Sequence, residues 1–147
     1  MIIYLDLCCF NRPFDDQTQI RIYLESQAKL HIQQSILEDS FQLVWSYVLD
    51  FENSHNPFPE RRELIARWKL HSSYDIAANE EIIKLAHQFN HAGLKKLDAL
   101  HVACAVYAEA HYFITTDDGI LKKARLIDAI KIVDPIQFVT EVSEDDY

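Results

Sequence analysis

The sequence predicts an α/β layer fold with a mainly parallel sheet, and two observations carry that reading. Short apolar, β-branched runs alternate with longer helical stretches along the chain. Two of those runs end in an acid, IIYL before Asp6 and YFITT before Asp117. In open parallel sheets, functional groups gather beyond the carboxyl ends of the strands.

Ile2–Leu5 reads as a buried strand. Asn11, Pro13, Asp15 and Asp16 mark a loop, and the Asp pair is placed to cap the next helix. That helix is expected over residues 17–38, where Ile20, Leu24, Ala28, Ile32 and Ile36 recur every fourth position and Tyr23, Leu30 and Leu37 widen the stripe. Residues 42–45 read as a second strand. Ser46 can cap the short helix carrying Glu52, which Asn53, Asn56 and Pro57 close.

Residues 59–71 read as a helix packing through Leu64, Ile65 and Trp68, and residues 74–77 as a short strand. Asn79 caps a helix with Ile82, Leu85, Ala86 and Phe89 inward, ended by Gly93. Residues 95–109 form an unusually apolar helix that must be buried on more than one side. A strand over 112–115, a short helix over 119–124, a strand at Lys131–Val133 and a helical turn over 135–140 complete the chain. One domain over residues 1–140 is expected, with 141–147 as an acidic, frayed tail.

The 147 residues suit a single core, and 49% are apolar. No apolar run approaches the roughly 20 residues of a membrane span, and no signal-peptide pattern opens the chain. Cys8, Cys9 and Cys104 form no CxxC pair, so reduced thiols in a cytoplasmic protein are expected. The formal charge of -9 is the wrong sign for bulk binding of nucleic acid. Glu141, Glu144, Asp145 and Asp146 account for part of it, and the candidate site acids for more. Any nucleic-acid contact must therefore be local or metal-dependent. With Gly93 and Gly119 as the two glycines, the dinucleotide and P-loop fingerprints are excluded.

Asp6 and Asp117 follow strands, where a turn and a helix cap are their ordinary roles. Glu52 shares a helical face with Val48 and Leu49, so it points inward, whereas Asp50 points to solvent. Asp98 opens the most buried helix, where support of the helix dipole is its ordinary role. Together the four acids favour a metal site. Two like charges about 4 Å apart repel by roughly 4 kcal/mol at an effective dielectric near 20, and a divalent cation removes that repulsion. An oxygen-rich set with few His or Cys suits Mg2+ better than zinc.

These same segments resemble the PIN-domain nucleases, which include the toxin ribonucleases of VapBC-type toxin–antitoxin pairs. The likeness spans residues 2–139. IIYLDLCCFNRPFDD carries the first acidic position at Asp6, SYVLDFEN the second at Glu52, KKLDALHVACA the third at Asp98 and FITTDDGIL the fourth at Asp117. Cys8 stands where many relatives have Ser, Thr or Asn, with Asn11 as a substitute for that polar role, and the doubled Asp117-Asp118 leaves the fourth register open.

The resemblance implies a three-layer α/β/α sandwich, Mg2+ or Mn2+ binding and metal-dependent cleavage of RNA. In that reading Asp6 and Asp117 hold the principal metal, Asp98 is a direct or water-mediated ligand, and Glu52 holds a second metal or orients the attacking water. The implied partners are an RNA substrate, an antitoxin that covers the acidic pocket with Arg or Lys, and a second copy in a homodimer. Arg12, Lys95, Lys96 and Lys122 are candidate phosphate contacts, with solvated helix faces as the competing role for them and for Lys123. Arg61 and Arg62 read as cover for a helix surface, His87 and His91 as a solvent-facing pair, and His101 as a hydrogen-bonded core histidine. Phe10, Phe14, Trp45 and Trp68 are base-stacking candidates that more readily belong to the core.

Two other classes compete. A non-catalytic PIN-like module would bind RNA or protein but hold Mn2+ poorly. A response-regulator receiver would need an Asp ending its third strand and a Lys ending its fifth, and neither is present.

Overall fold

The computed structural model describes residues 1–145. Strands β1 (Ile2–Leu5), β2 (Gln42–Ser46), β3 (Ser72–Ile76), β4 (Tyr112–Ile114) and β5 (Lys131–Val133) form one parallel sheet in the order β3-β2-β1-β4-β5. The chain steps outward from β1 to β3, then crosses to the other side of β1 to lay down β4 and β5. The strand order therefore reverses beside β1, and the crevice at that switch opens at the carboxyl ends of β1 and β4. Asp6 N–H donates to Ile114 O at 2.9 Å across this point.

The helices are α1 (Leu7–Asn11), α2 (Ile20–Leu37), α3 (Tyr47–Ser54), α4 (Pro59–Arg67), α5 (Glu80–Ala92), α6 (Lys96–Tyr107), α7 (Asp118–Leu121) and α8 (Pro135–Asp145). They flank the sheet as the outer layers of an α/β/α sandwich. Helix α6 packs on α5 and against β2 and β4, while α2 packs on α8 and α1. Ile3, Tyr4 and Leu5 are fully buried, as a strand covered on both faces requires. Tyr4 points at α6, so Ile3 and Leu5 point to the opposite layer. Each such side chain stabilises by about 1.5–3 kcal/mol through burial.

Local chemistry sets the helix ends. Ser46 caps α3 by accepting from Leu49 N, and Asn79 caps α5 by accepting from Ile82 N, both as the sequence predicts. Gly93 ends α5 at φ +129°, a backbone conformation that side chains disfavour.

Several expectations are corrected. Helix α2 begins at Ile20 rather than 17, and neither Asp15 nor Asp16 caps it. Asp16 instead accepts from Thr18 N and Oγ1 in a local turn. The four-step apolar series is not its buried face. Successive i+4 positions drift by about 40°, so Ile20 and Ile36 stand about 160° apart around the axis. The buried face runs through Glu25, Ser26, Lys29, Ile32, Gln33 and Ile36, leaving Ile20, Tyr23, Leu24, Leu30 and Leu37 exposed.

Helix α4 ends at Arg67 and a 3-10 turn over Trp68–His71 follows, with Leu64 exposed. Strand β3 starts two residues earlier than expected, and α7 is one turn ending at Leu121, with a 3-10 turn at Ala124–Leu126. At the far end, α8 continues past Thr140 to Asp145. Glu141 is tied down by Tyr112 Oη at 3.0 Å and Lys131 Nζ at 2.7 Å, so the expected fraying does not begin there. Residues 146–147 of the acidic tail lie outside the described residues.

Candidate functional site

Asp6 leaves β1 and caps α1, its Oδ1 accepting from Leu7 N at 2.8 Å. Its Oδ2 accepts from Thr115 Oγ1 at 2.8 Å and lies 3.5 Å from the Cys8 thiol. Glu52 comes from α3. Its Oε1 lies 3.4 Å from His101 Nε2, and Asp6 Oδ1 lies 3.9 Å from the same nitrogen. One ligand atom from each of Asp6, Glu52 and His101 falls within 4.8 Å of the others.

His101 is the residue that sequence reasoning missed in this role. The hydrogen bond expected of a core histidine is present, because Tyr4 Oη meets Nδ1 at 2.6 Å. Tyr4 Oη also meets Ser46 Oγ at 2.7 Å. This relay allows Nδ1–H to donate to Tyr4 while Tyr4 donates to Ser46. In the neutral ring Nε2 would then offer a buried lone pair between the two carboxylates, whereas protonation there would pair it with Glu52 at 3.4 Å. The available signal was spacing: His101 stands three residues after Asp98 on one helix, so both share a face.

The acids of the site raise one another's pKa, and His101 opposes them. Burial pushes the Asp6 carboxyl up, opposed by His101 and the Thr115 hydroxyl. Asp98, half-buried in the first turn of α6, is pushed up to about 6, first by burial and then by the charges of Asp117 and Asp6. Burial alone would lower His101, but Glu52, Asp6 and Asp98 overcome it and raise the imidazole. The donor set and the orphaned Nε2 fit a divalent cation held by Asp6, Glu52 and His101.

Asp98 and Asp117 lie outside that compact triad. Asp117 caps α7, with Oδ1 accepting from Gly119 N at 2.7 Å and Ile120 N at 3.2 Å. Its own N–H donates to Thr115 Oγ1 at 3.0 Å. A Cβ on Gly119 would come within 3.0 Å of Asp117 Oδ1, so glycine permits this cap. Asp118 turns away into a two-pronged pair with Arg21, at 2.7 and 3.2 Å. Asp117 is thus the acid beside Asp98. Asp50 makes hydrogen bonds to Trp45 Nε1 and Lys69 Nζ rather than facing the site. Asn11 is held by Leu7 O and Asn56 Nδ2, while Cys8 makes the contact to Asp6.

Among the basic candidates, Arg12 is paired with Asp15 at 3.0 Å and Glu25 at 3.2 Å within the chain. Lys95, Lys96 and Lys122 are exposed. Lys123 donates to Gly93 O. Arg61 pairs with Asp15 at 3.7 Å, donates to Phe14 O at 3.2 Å and lines a cleft of about 480 Å³ together with Cys8, Asn11, Glu52 and Phe58. Its guanidinium lies over Phe58 at 4.4 Å and Phe14 at 5.2 Å. His87 and His91 are exposed, and Phe10 and Trp45 are core.

This architecture has a solved counterpart. A chain of the VapBC2 complex from Rickettsia felis, solved bound to a DNA fragment from its promoter, aligns with 90% of this chain and 97% of its own length. The TM-score is 0.54 and the identity 13%. The fold is PIN-like. At that identity the likeness is one of fold. No family model matches the sequence, and no curated protein does. No helix among the described residues is long and apolar enough to cross a membrane.

Proposed function

We propose that the chain is a Mg2+- or Mn2+-dependent endoribonuclease. The observation that carries this reading is the convergence of Asp6, Glu52 and the buried His101 Nε2 on one small volume, at the switch point of a PIN-like sheet. Asp6, Glu52 and His101 would hold the cation. When bound, it would lower the pKa of a coordinated water and neutralise charge building on the phosphate. Asp98, on the same face of α6 as His101, would accept a proton from attacking water. Asp117 adds a carboxylate beside it, and Thr115 holds Asp6 and Asp117 in register.

The cleft beside Glu52 gives single-stranded RNA a local approach despite the negative overall charge. Arg61 would exchange its 3.7 Å pair with Asp15 for a phosphate, and exposed Phe58 would take a base. Lys95, Lys96 and Lys122 can add phosphate contacts, whereas Arg12 is held by two acids, Asp15 at 3.0 Å and Glu25 at 3.2 Å. Hydrolysis in line should leave a 5′-phosphate and a 3′-hydroxyl. The Rickettsia neighbour, a VapBC2 assembly, supports a protein antitoxin as partner. The exposed apolar residues of α2 provide surface for that partner or a second copy. The unpaired cysteines suit a cytoplasmic location.

The test is Asp6→Asn. Metal-dependent cleavage of a single-stranded RNA should disappear while circular dichroism is unchanged, and wild-type turnover by the variant would refute the assignment. Cys8 against Asp6 favours one other reading, a binding module without catalysis. Calorimetry with Mn2+ separates them, since the module should bind the ion poorly.

A further inference from the structure

Outside the acidic site, a cavity of about 220 Å³ lies between α2, α4 and the turn after α1, lined by Phe10, Phe14, Lys29, Gln33 and Trp68 among others. Two polar side chains on its wall are more than nine-tenths buried, Lys29 at 4% exposure and Gln33 at 7%. They stand four apart on α2, so they project from one face. Lys29 Nζ lies over the Phe10 ring at 5.3 Å and the Trp68 ring at 5.9 Å. Those ring faces attract the charge but accept no conventional hydrogen bond from its three N–H groups. No carboxylate among the described residues lies within ion-pair distance of it, and Glu25, four residues earlier, pairs with Arg12 and Arg21 instead. Gln33 Nε2 is buried without a partner. The Lys29 ammonium has ring faces close by, and the Gln33 amide beside it on the same wall has a buried N–H without a partner; both gain from an acceptor in this cavity.

We infer that this cavity is a binding site for a carboxylate carried on an apolar stem. One carboxylate oxygen accepts from Lys29 Nζ, and the other from the Gln33 side-chain N–H once that amide turns toward the cavity. The aromatic wall takes the stem. Size sets the stem's limit: a dry cavity of about 150 Å³ admits benzene, so this one admits a single ring and its carboxylate. One cation in an aromatic box suits a monoanion better than a doubly charged phosphate. Such a group can come from a free small acid or from an acidic residue beside an apolar one in a peptide.

The test is titration of the full chain, followed by amide NMR, with phenylacetate, with acetyl-Phe-Glu-amide, and with neutral phenylacetamide. We expect saturable shifts of the Gln33 side-chain amide and the Trp68 indole N–H, with a Kd of about 1 mM or tighter for at least one carboxylate. Binding should weaken at least tenfold in Lys29→Met and be absent for phenylacetamide. The tighter of the two acids identifies the source. Gln33→Leu gives a second variant with the same expectation if Lys29→Met does not fold. No saturable shift with either acid, equal affinity in the variants, or equal binding of phenylacetamide overturns the inference.

Discussion

Thr115 donates its hydroxyl to Asp6 Oδ2 at 2.8 Å from a fully buried position at the end of β4. Thr115 Oγ1 in turn accepts the N–H of Asp117 at 3.0 Å. One hydroxyl thereby couples an acid after β1 to an acid after β4, across the switch in strand order.

Thr115→Val keeps the branched shape and removes that hydroxyl. Asp6 then loses a donor that favours its ionised form, and the Asp117 N–H loses its acceptor. Stability should fall by about 1–3 kcal/mol in urea unfolding, the range for a buried polar group left unsatisfied. The Asp6 carboxyl should move further up and RNA cleavage should drop. A stability change within about 0.5 kcal/mol, the range of an unremarkable surface substitution, would show that the contact contributes little.

Asp98 makes the metal-free protein sensitive to pH. Its carboxyl is pushed up to about 6 by burial and by the neighbouring acids, against about 3.9 in an unfolded chain. Between those values the folded state binds more protons, so this group's contribution to stability falls as pH rises from about 4 to about 6. Metal-free Asp98→Asn should therefore be more stable than wild type at pH 7, with the advantage vanishing below about pH 4. Thermal unfolding in chelator across that range is the measurement. A variant less stable at pH 7 would show that the carboxylate is not strained.

The sheet was legible because short runs of strand length alternate with helical patterns, and burial on both faces leaves little polar interruption in β1, β2 and β4, whereas β3, Ser-Ser-Tyr-Asp-Ile, is mostly exposed and begins two residues before its expected start. Asp6 was legible because it ends such a run. The buried face of α2 was not, because Glu25 and Lys29 turn inward toward Arg12, Phe10 and Trp68, residues distant along the chain. Nothing local marks that choice. His101 was hidden differently: in an all-round apolar helix, no polar face shows which way an imidazole points.

His101 should make the site discriminate between ions. Imidazole nitrogen suits manganese and later transition metals better than magnesium, which prefers oxygen and retains water. Mn2+ should bind more tightly than Mg2+ by calorimetry. His101→Ala should weaken Mn2+ by roughly tenfold or more while affecting Mg2+ less, and Tyr4→Phe, which frees the ring's other nitrogen, should weaken Mn2+ by about tenfold. Equal losses for both ions would place His101 outside the coordination sphere.

Lys29 gives the last expectation, one of opposite sign to Asp98. Burial lowers its amine to about 8, against about 10.4 in an unfolded chain. Below about pH 8 the folded state carries the full penalty of a buried charge. From about 8 to 10.4 the unfolded chain holds a proton that the folded chain has released, so this group's contribution rises with pH. Lys29→Met, packed against Phe10 and Trp68, should stabilise the ligand-free protein by up to about 3 kcal/mol at pH 7 and by nothing above about pH 10.5. The comparison must be between the two proteins. Burial pushes the Cys9 thiol and the Tyr4 phenol up, so both oppose the trend in wild type alone. Denaturant unfolding of both proteins across pH 7–10.5 measures the difference, and a gap that does not change with pH would refute the account.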